Sequence, residues 1–121
     1  MLAKATPVLP AEDMKRATSF YTEKVGLSVL FESHEGTAFA CEDGTMIFVY
    51  PHGRSKATHT AASFLVEDVV AEMARLRERG VVFEDYDAPG LQTEDGIAEQ
   101  DAGKAAFFVD TEGNILGVVQ M

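Results

Sequence analysis

Three histidines and a few acidic residues are the side chains of this chain that could ligate a metal or transfer a proton. His52 and His59 lie seven positions apart in one polar segment, and His34 lies in a predicted turn. Imidazoles ligate metals and move protons near neutral pH. Glu99 and Asp101 are, with His59, the candidates for general acid or base chemistry. Histidines in polar loops are usually solvated, so a reactive centre here is one alternative among several.

The residue types of other catalytic mechanisms are missing or badly placed. Cys41 is the only cysteine, which excludes an internal disulfide. Its acidic neighbours Glu42 and Asp43 disfavour a reactive thiolate. No Ser-His-Asp signature is present, and neither predicted helix follows a glycine-rich phosphate loop. Motifs alone therefore assign no reaction.

The composition excludes some partners. A formal net charge of -10 argues against nucleic acid, because phosphate binding needs clustered Lys and Arg. An acidic surface attracts cations, so a cationic small ligand is a candidate, although acidity also serves solubility alone. No apolar run approaches the roughly 18 residues of a membrane span. The first residues do not resemble a signal peptide. We expect a cytoplasmic protein that binds neither nucleic acid nor membrane.

Two helices are predicted from their capping residues and apolar spacing. Asp13 caps a helix over about 14–24, and Asp68 caps a second over about 69–79. A glycine ends each one. Apolar residues recur along both at the spacing of one helix face, which predicts that each helix packs on a sheet.

Strands are predicted around these helices in the same order in both halves. In the first half they cover about 4–10, 28–33, 37–41 and 45–50. In the second half they cover 60–66, 81–85, 104–110 and 114–120. Pro7 and Pro10 indicate that the first strand lies at a sheet edge, that they stand at a strand start, or that a hinge lies beside them. A long acidic loop is predicted over 86–103.

This order indicates an internal repeat of about 60 residues. The turn that closes on Gly44 and the turn that closes on Gly113 each precede an apolar strand. Each half is a βαβββ unit that cannot cover its sheet alone. The predicted fold class is α+β, with two tandem units in a curved eight-stranded mixed sheet, helices on the convex face and a cleft on the concave face. We expect a single domain over 1–121, with units over about 4–51 and 60–121 and a linker over about 52–59.

Two segments carry a resemblance to a known family. The segments PAEDMKRATSFYTEKVGL (10–27) and FFVDTEGNILGVVQ (107–120) resemble the opening and closing motifs of the vicinal-oxygen-chelate superfamily. That superfamily includes glyoxalases, extradiol dioxygenases, fosfomycin-resistance enzymes and bleomycin-resistance proteins. The resemblance covers essentially the whole chain and implies the fold just described, but a fold of this kind hosts many functions.

The resemblance also implies a divalent metal, held by the first and last strands of each unit. The corresponding positions here are Thr6, Ala61, Phe48 and Gly117. These residues offer at most one weak hydroxyl ligand, whereas such a site needs imidazoles and carboxylates. We therefore expect no metal and no cofactor. A metal site relocated to His34, His52 or His59 is the alternative.

Without a metal, the predicted cleft suits a small organic ligand held by burial and stacking. Strand alternation adds neighbours on the same face, and the candidate ligand-binding residues are Thr6, Val8, Phe48, Tyr50, Ala61, Ser63, Gly117 and Val119. The same residues could instead fill the core or an interface.

Three functions remain open. The resemblance to the metal-free bleomycin-resistance branch implies antibiotic sequestration by a homodimer, and the prolines near the first strand fit a hinge for strand exchange. A lyase, isomerase or dioxygenase of the same fold with a non-standard site is the second. A dimeric structural module with a vestigial cleft is the third. The sequence leaves catalysis undecided and favours a binding protein.

Overall fold

The computed structural model describes all residues, 1–121, and the chain divides into two compact units. Unit 1 comprises residues 1–56 together with 110–114, and unit 2 comprises 57–109 together with 115–121. Each unit contains one four-stranded mixed sheet and one helical segment, which confirms the α+β class. The division means that a short piece of the second half belongs to the first unit.

The sheet of unit 1 has its strands in the order β1-β4-β3-β2. They are β1 (Val8–Ala11), β2 (Ser28–Glu32), β3 (Thr37–Ala40) and β4 (Met46–Pro51). β1 runs parallel to β4, and the other pairs are antiparallel. β1 lies at an edge, which is one of the positions that its prolines indicate.

The helix of unit 1 begins as predicted and then changes its pitch. Helix α1 (Met14–Ser19) starts at Asp13, whose side chain accepts a hydrogen bond from the Arg16 N–H at 3.0 Å. A π-helix over Phe20–Val25 continues it and ends at Gly26 with a φ of 89°. Hydroxyls of Thr18 and Thr22 donate to the carbonyls four residues earlier, at 2.8 Å each. Such bonds compete with the backbone ladder, which accounts for the wider turn in place of a continuous α-helix.

Unit 2 repeats the arrangement with a longer helix. In chain order its elements are β5 (Thr60–Leu65), α2 (Val69–Glu78), a small hairpin of β6 (Asp87–Ala88) and β7 (Leu91–Gln92), β8 (Ile97–Gln100), β9 (Gly103–Val109) and β10 (Ile115–Gln120). The sheet order is β5-β10-β9-β8, with β5 parallel to β10. Asp68 caps α2 by accepting from the Ala71 N–H at 3.1 Å. The apolar face of α2 is buried, as its spacing predicts.

One strand prediction is wrong. Residues 81–85 do not form a strand, and Phe83 makes only an isolated bridge to Phe108. The sheet is completed by β8, which lies inside the predicted loop 86–103. The carboxylate of Asp85 accepts hydrogen bonds from the Thr93 hydroxyl and the Gly96 N–H, both at 2.8 Å. These bonds turn the chain away from the sheet after Phe83 and bring it back as β8.

None of the helices has the length and apolar character needed to cross a bilayer.

Candidate functional site

The sheet of unit 1 has one face covered by its helix and one face turned away from it. Phe39, Ile47 and Val49 are buried on the helix side, where the Tyr21 and Phe39 rings lie 5.3 Å apart. Side chains alternate along a strand, so their neighbours point to the opposite face. We call that opposite surface the aromatic face; from the strand registers its residues are Val8, Pro10, Ser28, Phe31, Ala38, Ala40, Met46, Phe48 and Tyr50.

Aromatic rings are spread across this face. Phe31 and Phe48 flank Ala38 with their ring centroids 6.3 Å apart and their planes tilted by 40°. Phe31 is 45 % exposed, whereas Phe48 is half-buried. Beyond the end of β4, the His52 ring lies 5.6 Å from the Tyr50 ring. The face therefore offers apolar ring surface in its middle and polar ring atoms at one end.

A glycine makes room for the Phe48 ring. A methyl group on Gly36 would lie 2.9 Å from two ring atoms of Phe48 and 2.4 Å from the carbonyl oxygen of Val49. Any side chain at this position would displace the ring or the strand. Gly36 therefore fixes where the central ring of the aromatic face lies.

The predicted site residues of unit 1 lie together. Val8 is the register partner of Phe48, and Tyr50 lies on the same face two residues along β4. Thr6 lies two residues before β1, which starts at Val8. Strand pairing therefore does not fix its position. The neighbouring Pro7 carbonyl accepts from the Phe48 N–H at 3.0 Å.

Three of the predicted site residues of unit 2 share one sheet face. Ser63 is the register partner of Gly117, and Val119 lies two residues along β10 on the same side. Ala61 lies at a register shift between β5 and β10, where it has no partner residue, so the pairing does not place it on that face. A methyl group on Gly117 would lie 2.7 Å from Ser63 Oγ and 3.6 Å from the Phe107 ring. The space that glycine leaves is therefore used by side chains of the protein itself.

Three aromatic residues were not predicted as site residues. Phe31 lies on the aromatic face, and Phe107, the register partner of Gly117, packs against Tyr86 with ring centroids 5.6 Å apart and planes at 82°. Alternation across the neighbouring strands β9 and β10 would have found Phe107, whereas the register shift between Val29 and Phe31 breaks the alternation of β2 and hides Phe31. Tyr86 lies in the predicted loop and carries no such signal.

The residues at the strand positions do not fit a metal. Phe48 and its partner Val8 have no donor atom, and Gly117 and its partner Ser63 have one hydroxyl between them. Divalent ions in this kind of site need several carboxylate or imidazole ligands. No group of three or more His, Cys, Asp or Glu side chains is placed to hold a metal ion.

The other candidate residues are dispersed. Glu99 pairs in register with Lys104 across β8 and β9, and Asp101 lies in the turn between them. His34 and His59 are exposed in turns or loops. Burial, and to a lesser extent the charge of Asp43, raises the pKa of the Cys41 thiol. An unreactive thiol was predicted; burial contributes more to this than the neighbouring acids.

The most highly organised polar cluster of unit 1 lies at the start of α1. Glu112 is fully buried and accepts hydrogen bonds from the backbone N–H groups of Glu12 and Asp13 at 3.0 and 2.9 Å. Arg16 donates to both of its carboxylate oxygens, at 2.8 and 3.1 Å, and the Thr111 hydroxyl donates at 2.7 Å. The cluster places a negative charge at a helix N-terminus.

The same turn holds a second buried carboxylate. The Tyr21 hydroxyl donates to Asp110 Oδ2 at 2.5 Å, and burial, followed by the charge of Asp110, raises the pKa of Tyr21. Asn114 donates to Asp110 Oδ2 at 2.8 Å and to the Pro10 carbonyl at 2.9 Å. The Asp110 carboxylate accepts from Tyr21, Asn114 and two backbone N–H groups, so its role in this cluster is structural; only Asn114 Oδ1 has no partner.

Comparison with known proteins identifies a family with this fold. The Glyoxalase/Bleomycin resistance protein/Dioxygenase superfamily profile matches residues 5–118. No curated protein matches the chain significantly.

Solved structures are similar over nearly the whole chain. A bleomycin-binding protein complexed with bleomycin is 20 % identical with a TM-score of 0.74, covering 99 % of each chain. TnmS3, an antibiotic-binding protein from Streptomyces sp. CB03234, is 24 % identical with a TM-score of 0.66, covering 99 % of this chain and 98 % of that one. Lactoylglutathione lyase from Agrobacterium tumefaciens is 17 % identical with a TM-score of 0.69, covering 98 % and 92 %.

At these identities the likeness concerns the fold, and the structures include both binding proteins and an enzyme. The profile match spans most of the chain and agrees with the two βαβββ units. The chain belongs to the glyoxalase/bleomycin resistance protein/dioxygenase superfamily.

Proposed function

We propose that this protein binds a small organic molecule without a metal, and that it acts by sequestering that molecule. The observation that supports the proposal is the aromatic face of unit 1. It carries two phenylalanine rings and a tyrosine, and none of its strand residues is charged. Apolar surface with a few polar groups at its margin is typical of sites for organic ligands.

The candidate residues for this role are those predicted from the sequence, with Phe31 added. Val8, Phe48 and Tyr50 contribute from unit 1, with Thr6 beside them. In unit 2 the corresponding candidates are Ala61, Ser63, Gly117 and Val119. Antibiotics are the favoured ligand class, since members of the superfamily such as TnmS3 and the bleomycin-binding protein are antibiotic binders by name.

We also propose a homodimer in the cytoplasm. β2 is an edge strand whose five residues are all exposed, with Leu30 at 55 %. Exposed apolar edges are usually protected by association. The lone Cys41 favours a reducing compartment. Sedimentation velocity over a range of concentrations tests the dimer, and a monomer at all concentrations would contradict it.

A thermal-shift panel of antibiotics and planar organic compounds tests the binding function. By mass action, a ligand present at a hundred times its Kd stabilises the protein by about 2.7 kcal/mol. The variant Phe48→Ser should lose the shift, and Val82→Ala, at a site that is 77 % exposed, should keep it. No shift with any compound of a broad panel would contradict the proposal.

A further inference from the structure

The aromatic face differs from the corresponding face of unit 2 in what its rings already contact. In unit 2 the Phe107 and Tyr86 rings contact each other in a T-shaped arrangement, at 5.6 Å and 82°. In unit 1 the Phe31 and Phe48 rings are tilted by only 40° and flank the small side chain of Ala38. Phe31 stays 45 % exposed and Val8, on the same face, stays 58 % exposed. Ring surface available for stacking is therefore found in unit 1.

The size of the aromatic face argues for a small molecule rather than a protein. Neighbouring strands lie about 4.8 Å apart and residues advance about 3.3 Å along a strand, so four strands and the segment from Met46 to Tyr50 define about 200 Å². A stable protein interface buries about 800 Å² on each partner. A second copy seated on this face alone would bury too little surface, whereas a fused ring system fits within it.

The absence of charged side chains on the aromatic face favours uncharged ligands. None of its strand residues is ionisable except Tyr50, although the chain as a whole has a formal net charge of -10. A charged group held against such a surface would lose hydration without gaining a partner. The acidic surface elsewhere accelerates the arrival of cations but supplies no counter-charge at the face.

We infer that the ligand of the aromatic face is an uncharged, fused aromatic compound that packs against Phe31 and Phe48, parallel to one ring and inclined to the other. Its polar edge points to the end of β4, where the Tyr50 hydroxyl and the His52 ring are available for hydrogen bonds. This inference rests on the proposed binding function and narrows the ligand class. It also replaces the expectation of a cationic ligand with that of a neutral one at this face.

Three probes of similar size test the ligand class. Acridone is planar and neutral, 9-aminoacridine is planar and cationic at pH 7, and dicyclohexyl ketone is neutral and not planar. Binding to the full-length protein is measured by calorimetry at low and high salt. We expect acridone to bind at least tenfold more tightly than dicyclohexyl ketone at both salt concentrations, and at least as tightly as 9-aminoacridine at high salt, where long-range attraction is screened. Binding of dicyclohexyl ketone as tight as that of acridone, or a tenfold preference for 9-aminoacridine that survives high salt, would overturn the inference.

Conservative variants locate the stacking surface. Phe48→Leu and Phe31→Leu keep the face apolar but remove the rings, and each should weaken acridone binding about fivefold, which corresponds to about 1 kcal/mol. Phe107→Leu in unit 2 is the matched control and should leave the affinity unchanged. Phe31 is largely exposed, so its variant remains informative if Phe48→Leu folds poorly. An equal loss with Phe107→Leu, or none with either unit 1 variant, would refute the assignment.

The two proposals fail in different ways. If acridone gives no signal but a charged or non-planar antibiotic from the panel binds, the ligand class is wrong and the binding function stands. If no compound of either set binds, the binding function itself is wrong.

Discussion

Helices α1 and α2 begin with the same local device and differ in the side chain that reaches them from a distance. Each has an aspartate cap that accepts from the N–H three residues on. At α2, the neutral Gln120 side chain accepts from the Val69 N–H at 2.9 Å. At α1, the buried carboxylate of Glu112 accepts from two backbone N–H groups and from Arg16. The two copies of the repeat have therefore kept their local signals and diverged in their long-range contacts.

The turns that precede the last strand of each unit show the same divergence. Gly44 and Gly113 adopt the same left-handed conformation, with φ of 93° and 86°. Asp43 and Glu112 stand at equivalent positions just before them. Asp43 is exposed and bonds only within its own turn, to Thr45, whereas Glu112 is fully buried. Backbone geometry is shared between the copies, and burial decides which turn contributes to stability.

Removing the buried carboxylate should have the largest effect. Glu112→Ala leaves the backbone N–H groups at the start of α1 and the Arg16 guanidinium without their acceptor. We expect a loss of about 4 kcal/mol in the free energy of unfolding, measured by urea denaturation. Asp43→Ala at the equivalent position of the other turn is the control and should change stability little. Equal losses from the two variants would mean that the two turns contribute alike.

Acid should weaken unit 1 through the same residue. Burial alone would raise the pKa of Glu112, but hydrogen bonds from Arg16, the Asp13 N–H and Thr111 lower it from 4.5 to about 2. Since the folded pKa lies below the unfolded one, this stabilisation is complete above about pH 4.5 and is lost as the pH falls toward 2. It amounts to at most about 3 kcal/mol, because Arg16 is partly exposed and screened by solvent.

Urea unfolding at several pH values between 7 and 2 measures this loss, and Glu112→Gln should remove that part of the pH dependence. If the free energy of unfolding of the wild type and that of Glu112→Gln fall with pH at the same slope, Glu112 is not the source of this pH dependence.

Adding a methyl group at Gly36 or at Gly117 should lower the stability of the protein by different amounts. In Gly36→Ala the new atom meets the Val49 carbonyl oxygen at 2.4 Å, a backbone atom that cannot rotate away. In Gly117→Ala it meets Ser63 Oγ, which can change its rotamer. We expect a loss of about 2 kcal/mol for the first and less than about 1 kcal/mol for the second, from thermal unfolding. A larger loss for Gly117→Ala would show that the Ser63 hydroxyl is held as rigidly as backbone.

The local caps should give the smallest effect. Asp68→Ala removes the capping acceptor of α2 and should cost about 1 kcal/mol. Asp13→Ala should cost less, because Glu112 still accepts from backbone N–H groups at the start of α1. Urea midpoints of the two variants measure the difference, and a larger loss for Asp13→Ala would show that Glu112 depends on the cap.

Local chemistry explains which elements were predictable from the sequence. Asp13 and Asp68 identified both helix starts because a cap acts over three residues of the same segment. The prolines limited β1 to a few positions, of which the edge is one, because a missing N–H constrains the strand whatever its partner. Alternation along β4 identified Phe48 and Tyr50 as sharing a face. In each case the deciding interaction lies within a few residues of the signal.

Features that depend on distant residues were missed. Glu112 lies in an acidic turn, which normally indicates a solvated position, and only the folded chain brings Arg16 to it. β8 was hidden because its apolar pattern is short and lies among Gly and Asp. The pairing of Phe31 with Phe48 required knowing that β2 is separated from β4 by β3. Topology, and not residue type, supplied this information.

The inclusion of residues 110–114 in unit 1 has a consequence for biosynthesis. The partners of Glu12, Tyr21 and Pro10 are about 90 to 100 positions downstream. A ribosome must therefore translate almost the entire message before the start of α1 acquires its acceptors. Unit 1, although its synthesis begins first, completes its contacts only after residues 57–109 of unit 2 have been synthesised, and a stop codon shortly before Asp110 would leave both units incomplete.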